Sequence, residues 1–98
     1  MAEWTFLTNH THVLLCIARD SGIRHRDLAA QIGITERAAQ RIVAELVEAG
    51  YLTSTRDGRR NRYQMNRDLP LRHPLEREHR IGEILDVLRR KPSTSSRD

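Results

Sequence analysis

Sixteen of the seventeen basic residues in this 98-residue chain are arginine, and their placement narrows the chemistry on offer. A guanidinium is planar, permanently charged, and able to pair in two-pronged fashion with a phosphate or with the O6/N7 edge of guanine. Arg37, Gln40 and Arg41 stand three and four apart, which puts two guanidinium groups and an amide side chain on one face of a helix. Arg56, Arg59, Arg60 and Arg62 surround Asp57-Gly58, a turn-forming pair, so four guanidinium groups crowd a short reversal of the chain. Arg24 and Arg26 supply two further cations. This set is suited to hydrogen bonding with base edges and to neutralising phosphates.

The charge is localised. From Arg24 to Arg67 nine arginines face five acids (Asp27, Glu36, Glu45, Glu48, Asp57), a surplus of four that equals the net charge of the whole chain, +4, so the flanks are neutral. Arginine in place of lysine also follows from a GC-rich genome, but genome composition does not explain clustering. Other chemistries find no residues. Cys16 is the single cysteine, so neither an internal disulfide nor a cysteine-based zinc site can form, and its place in an apolar run reads as a buried small hydrophobe. His10 and His12 are two apart and point in different directions on a helix, while His25, His73 and His79 lie in separate elements; they read as solvated or capping groups, and no metal or other cofactor is expected. No glycine-rich phosphate loop and no grouping of nucleophile, base and orienting residue is present, so an enzyme is not expected. There is no apolar run of about eighteen residues and no basic-then-apolar leader, which leads to the expectation of a cytoplasmic protein without a membrane partner.

These residues need elements to hold them. Trp4-Thr5-Phe6-Leu7 alternates, then Thr8 and Asn9 offer capping side chains, and the unbroken apolar run Val13 to Ala18 predicts a mostly buried first helix over His10 to Asp20. Ser21-Gly22 ends it, and Leu28, Ala29 and Ile32 before Gly33 predict a second helix over His25 to Ile32. Thr35 is a suitable N-cap for a third helix running to Gly50. Its apolar stripe, Ala39, Ile42, Val43, Leu46 and Val47, leaves Arg37, Gln40, Arg41, Ala44, Glu45 and Glu48 on the opposite side. Tyr51 to Thr55 and Arg62 to Met65 have strand composition on either side of Asp57-Gly58 and predict a hairpin. Leu69 to Pro74 is a proline-bounded linker. A fourth helix is expected over Leu75 to Arg90, with Ile81, Ile84, Leu85 and Leu88 as its stripe. Residues 92–98 bury nothing and are expected to be disordered.

Three helices, the last two joined by Gly-Ile-Thr, followed at once by a hairpin, give the order of a winged helix-turn-helix. Leu28-Ala29-Ala30-Gln31-Ile32-Gly33-Ile34-Thr35 resembles the helix-turn-helix of MarR-like and ArsR-like bacterial transcriptional regulators. The stretch Thr35 to Leu52 resembles their recognition helix running into the first wing strand, and Arg56-Asp57-Gly58-Arg59-Arg60 is similar to their wing tip. Arg24 departs from the pattern, standing where such regulators have a capping Ser or Thr. The resemblance implies a mainly α fold: a three-helix core and two-stranded wing over 1–67, a linker and C-terminal helix over 68–91, and a tail over 92–98.

The function expected is that of a sequence-specific regulator of transcription bound to double-stranded DNA. Its recognition residues would be Thr35, Glu36, Arg37, Gln40 and Arg41, its wing contacts Arg56, Arg59, Arg60 and Arg62, and its backbone contacts Arg24 and Arg26. Glu45 and Glu48 would repel phosphates, so the N-terminal half of the third helix is the half expected to enter the groove. The stripe Ile81, Ile84, Leu85 and Leu88 is expected to pair two copies into a homodimer that represses by promoter occlusion. A winged helix used as a protein-interaction module is the alternative from another class. A ligand- or metal-responsive sensor of the same fold is another, although so short a chain leaves little room for an effector pocket outside a dimer interface; no particular effector is indicated.

Overall fold

The computed structural model describes residues 4–90; the expected disordered tail lies outside the described residues. The elements run α1 (Asn9–Arg19), α2 (His25–Ile32), α3 (Glu36–Glu48), β1 (Leu52–Asp57), β2 (Arg60–Met65) and α4 (Ile81–Arg89). The three-helix core and two-stranded wing therefore stand as the sequence predicts. Val13, Leu14 and Ile17 of α1 meet Leu28 of α2 and Ala39, Ile42, Val43 and Leu46 of α3 in one buried cluster. Cys16 belongs to it, and burial pushes its thiol pKa up, as suits an unreactive core residue.

The α2–α3 turn is set by two local devices. Gly33 adopts a left-handed conformation, φ +88°, which a side chain resists, and so turns the chain at the end of α2. Thr35 then caps α3 by accepting a hydrogen bond on Oγ1 from the Ala38 amide at 3.1 Å. Arg24 offers α2 no side-chain cap, yet the helix begins at His25, because the burial of Leu28 and Ala29 holds it there.

The hairpin is longer than the sequence suggests. Asp57 pairs with Arg60, which leaves Gly58-Arg59 as a two-residue loop with Gly58 at φ +65° in its first position, the arrangement that matches strand twist. The turn is thus one residue later than Asp57-Gly58. The outer edge of β2 is tied to the body where the Tyr63 amide donates to the Ser21 carbonyl at 3.0 Å.

The fourth helix departs most from expectation. It begins at Ile81 rather than Leu75: Leu71 donates its amide to the His79 carbonyl, Pro70 bridges to Arg80, and the residues between them fold as turns, with Leu75 90% exposed. Between Leu75 and Ile81 there is no apolar side chain to dock a helix. Glu83 starts α4 instead, its carboxylate accepting from the Arg80 amide at 3.0 Å. The helix then folds back against α1, where Ile81 is 5% and Leu85 1% exposed. Ile81 and Leu85 are therefore unavailable as contacts to a second copy, because their own chain buries them. Ile84 and Leu88 are half-buried and Val87 remains 58% exposed. A bidentate pair, Arg67 to Asp86 at 2.9 and 2.7 Å, clamps the helix to the turn that follows β2.

Candidate nucleic-acid interface

The helix-turn-helix presents Thr35, Glu36, Arg37, Gln40 and Arg41 on its exposed side, while Ala39, Ile42 and Val43 anchor the opposite side in the core. Rigid backing of this kind fixes where donors project. Among the described residues Arg37 makes no ion pair, and Arg41 has only a loose one, Nε to Glu45 Oε2 at 3.8 Å. Glu45 is more firmly held by α1, its Oε1 lying 2.7 Å from His10 Nε2. The basic and acidic halves of α3 thus differ in what holds their side chains as well as in charge.

The wing arginines separate into three kinds. Arg59, in the hairpin loop, makes no side-chain hydrogen bond among the described residues, and Arg56 bonds only its own turn, Nε to the Gly58 carbonyl at 3.3 Å. Arg60 and Arg62 turn back toward the body instead of projecting from the tip. Arg60 donates to the Gly22 carbonyl at 2.7 Å, and Arg62 to Asp57 at 2.8 Å and Ser21 Oγ at 3.4 Å. Strand alternation explains this, since Arg60 and Arg62 share one face of β2, and that face meets the Gly22 carbonyl and the Ser21 hydroxyl.

That folding back creates a recess of about 230 Å³ between the wing root and the start of α2, lined by Gly22, Arg24, His25, Arg59, Arg60 and Tyr63 among others. His25 Nε2 lies 3.2 Å from Tyr63 Oη, and burial pushes the phenol pKa up, keeping it protonated. The sequence reading missed His25 and Tyr63 as partners. They are 38 positions apart, and no local pattern joins them. Arg26, exposed on α2, is not among the residues lining this recess.

The remaining histidines make polar contacts as expected of solvated or capping groups: His12 with Asn9, His79 with Glu83, and His73 with the Leu75 amide. Among the described residues no three His, Cys, Asp or Glu side chains gather to hold a metal ion, and no helix is long and apolar enough to cross a membrane. A larger groove, about 610 Å³, opens between the start of α1, the end of α3 and the 71–81 segment, with Leu14, Leu46 and Tyr51 in its walls beside His10, Glu45 and Arg72. A single chain therefore holds more concave space than its length suggests.

Residues 7–53 match the family model described as a winged helix-turn-helix DNA-binding domain. Among solved structures, the fold is similar to the PcaV transcriptional regulator from Streptomyces coelicolor, solved in complex with its natural ligand, at 22% identity over 67% of this chain and 49% of that one, with a TM-score of 0.53. The zinc-dependent MarR-family regulator AdcR in its Zn(II)-bound state is 22% identical over 66% of this chain and 47% of that one, with a TM-score of 0.48. The chain spans about half the length of these two regulators. No curated protein matches it. With the helix-turn-helix, the wing and the match over residues 7–53 in agreement, the chain has a winged helix-turn-helix fold with an added C-terminal helix.

Proposed function

We propose that this protein is a sequence-specific, double-stranded-DNA-binding regulator of transcription, in which the N-terminal half of α3 reads bases in the major groove. One observation carries the reading: Arg37, Gln40 and Arg41 are exposed side by side on a helix fixed in the core, and Glu45, one turn beyond Arg41, is engaged by His10. Arginine and glutamine are the donors that match guanine and adenine edges in that groove. Thr35 and Glu36 border the reading face. Arg56 and Arg59 extend contact along the backbone or the adjoining minor groove, with Arg60 and Arg62 behind them, and Arg24 and Arg26 meet phosphates.

The regulator acts in the cytoplasm as a repressor that occludes a promoter, since a domain seated on duplex DNA excludes other proteins from the sequence it covers. Two copies sit on one operator. What remains of the α4 stripe for their contact is Val87 with the half-buried Ile84 and Leu88. A ligand-responsive form of the same reading is favoured by the 610 Å³ groove, a volume in the range of small-molecule sites.

Fluorescence anisotropy on a pool of labelled genomic duplexes tests the reading. Binding that weakens steeply as salt rises, with some fragments preferred, supports it. No binding at low salt, or the same affinity for every fragment, refutes sequence-specific regulation.

A further inference from the structure

The recess at the wing root brings together residues from two parts of the chain: Arg24 and His25 at the start of α2, Arg59 and Arg60 at the start of β2. Three arginines and a histidine line it, and no carboxylate is among the lining residues. Two acids of the neighbouring segments are engaged elsewhere. Asp57 holds Arg62 at 2.8 Å, and Asp20, in the preceding loop, accepts from the Gly22 amide at 3.1 Å. Asp27 lies two positions beyond His25 on α2 and does not line the recess.

Arg60 uses one donor on the Gly22 carbonyl, and the rest of its five-donor fork has no other side-chain hydrogen bond among the described residues. Cations crowded in this way repel one another, and an anion placed between them converts that repulsion into attraction. The volume, about 230 Å³, exceeds what a single water occupies several-fold. Tyr63, the phenol in the lining, is 8% exposed, and His25 already faces its hydroxyl, so neither ring is set out as a platform for a base, which favours a bare phosphate group over a nucleotide.

We propose that this recess seats one phosphodiester of the DNA backbone between Arg24, Arg59 and Arg60, and that His25 joins the contact as its imidazolium. The seat couples the wing to the first helix of the helix-turn-helix, so that one phosphate fixes both against the duplex. Imidazoles in general titrate close to neutral pH, and an anion alongside favours the protonated form. In the free protein the ring meets Tyr63 Oη; on binding, a phosphate oxygen becomes its partner and a proton is taken up from solvent. The sign follows: binding tightens as pH falls, because the bound state holds the extra proton. The proposal rests on the reading of this chain as a binder of duplex DNA.

The experiment uses the full chain and a 30-base-pair duplex of random sequence, with affinity measured by anisotropy across 50 to 200 mM salt at pH 6 and pH 8. Arg59→Ala, which alters an exposed side chain and leaves the fold intact, is expected to weaken binding roughly tenfold and to lower the salt slope by about one. His25→Gln is expected to remove most of a gain, about threefold to tenfold between pH 8 and pH 6, that the unaltered protein shows. In parallel, the His25 ring resonance is titrated by NMR, and its midpoint moves to higher pH when the duplex is added. Duplex binding with a normal salt slope in Arg59→Ala and an unmoved His25 midpoint overturns the seat while leaving DNA binding standing. Loss of all duplex binding by the unaltered protein overturns both. Inorganic phosphate at millimolar concentration is the remaining arm: if it moves the His25 midpoint as far as the duplex does, and the duplex affinity ignores Arg59, the seat serves free phosphate and the DNA assignment is overturned.

Discussion

Truncating Leu85 separates the two roles that α4 could have. The side chain is 1% exposed and sits among core residues of its own chain, with Ile81 one turn earlier on the same face. Removing a buried leucine to its Cβ costs about 2–5 kcal/mol, the lower end applying where the surroundings can collapse into the space. A domain of this length holds roughly 5–15 kcal/mol in total, so Leu85→Ala removes a large fraction of it. Urea unfolding followed by circular dichroism is the assay, run at two protein concentrations tenfold apart. The midpoint is expected to fall with the slope unchanged, by the same amount at both concentrations, and the thermal midpoint to drop by about 10 °C or more. Leu88→Ala, at a half-buried position, is expected to cost much less. The reasoning is refuted if Leu85→Ala unfolds within about 0.5 kcal/mol of the unaltered protein, or if its loss of stability disappears at high concentration, since the side chain would then be serving a contact between copies.

Arg37→Ala, Gln40→Ala and Arg41→Ala are each expected to weaken the preferred duplex by roughly 1–3 kcal/mol and to narrow its advantage over random sequence, measured by competition anisotropy. Val87→Glu is expected to leave folding unchanged and to lower the sedimentation coefficient of any dimer, because Val87 is the exposed apolar residue of α4. Gly33→Ala forces a side chain into φ +88° and is expected to cost about 1–2 kcal/mol in denaturant, although nothing lies within 4 Å of the added carbon. The Arg67 guanidinium beside Asp86 lowers the carboxyl pKa, so the stability from this pair is present above the ordinary aspartate range, about pH 4, and is lost as pH falls through the lower value of the folded state. Acid unfolding curves of Arg67→Ala should lack that component.

Residues 9–65 were legible in the sequence because each element there carries its own instructions. Thr35 caps, Gly33 takes a left-handed φ, and the stripe Ala39, Ile42, Val43 and Leu46 repeats at helical spacing, all within a few positions of one another. The exposure of Arg37 and Arg41 was legible for the same reason, since helical geometry assigns them to the side opposite that stripe. Short-range rules fail where the partner is distant. The stripe of α4 shows that one side needs covering but not by what; the reversal of the 71–80 segment and the Arg67–Asp86 pair bring it onto α1 of the same chain. Likewise the wing arginines look alike in sequence, yet Arg60 and Arg62 turn inward because the carbonyl of Gly22 and the side chains of Ser21 and Asp57 accept their donors, while Arg59 finds no acceptor among the described residues. Which side chains meet across the 38 positions between His25 and Tyr63 depends on how α1, α2 and β2 pack, and packing is a property of the whole core rather than of any segment.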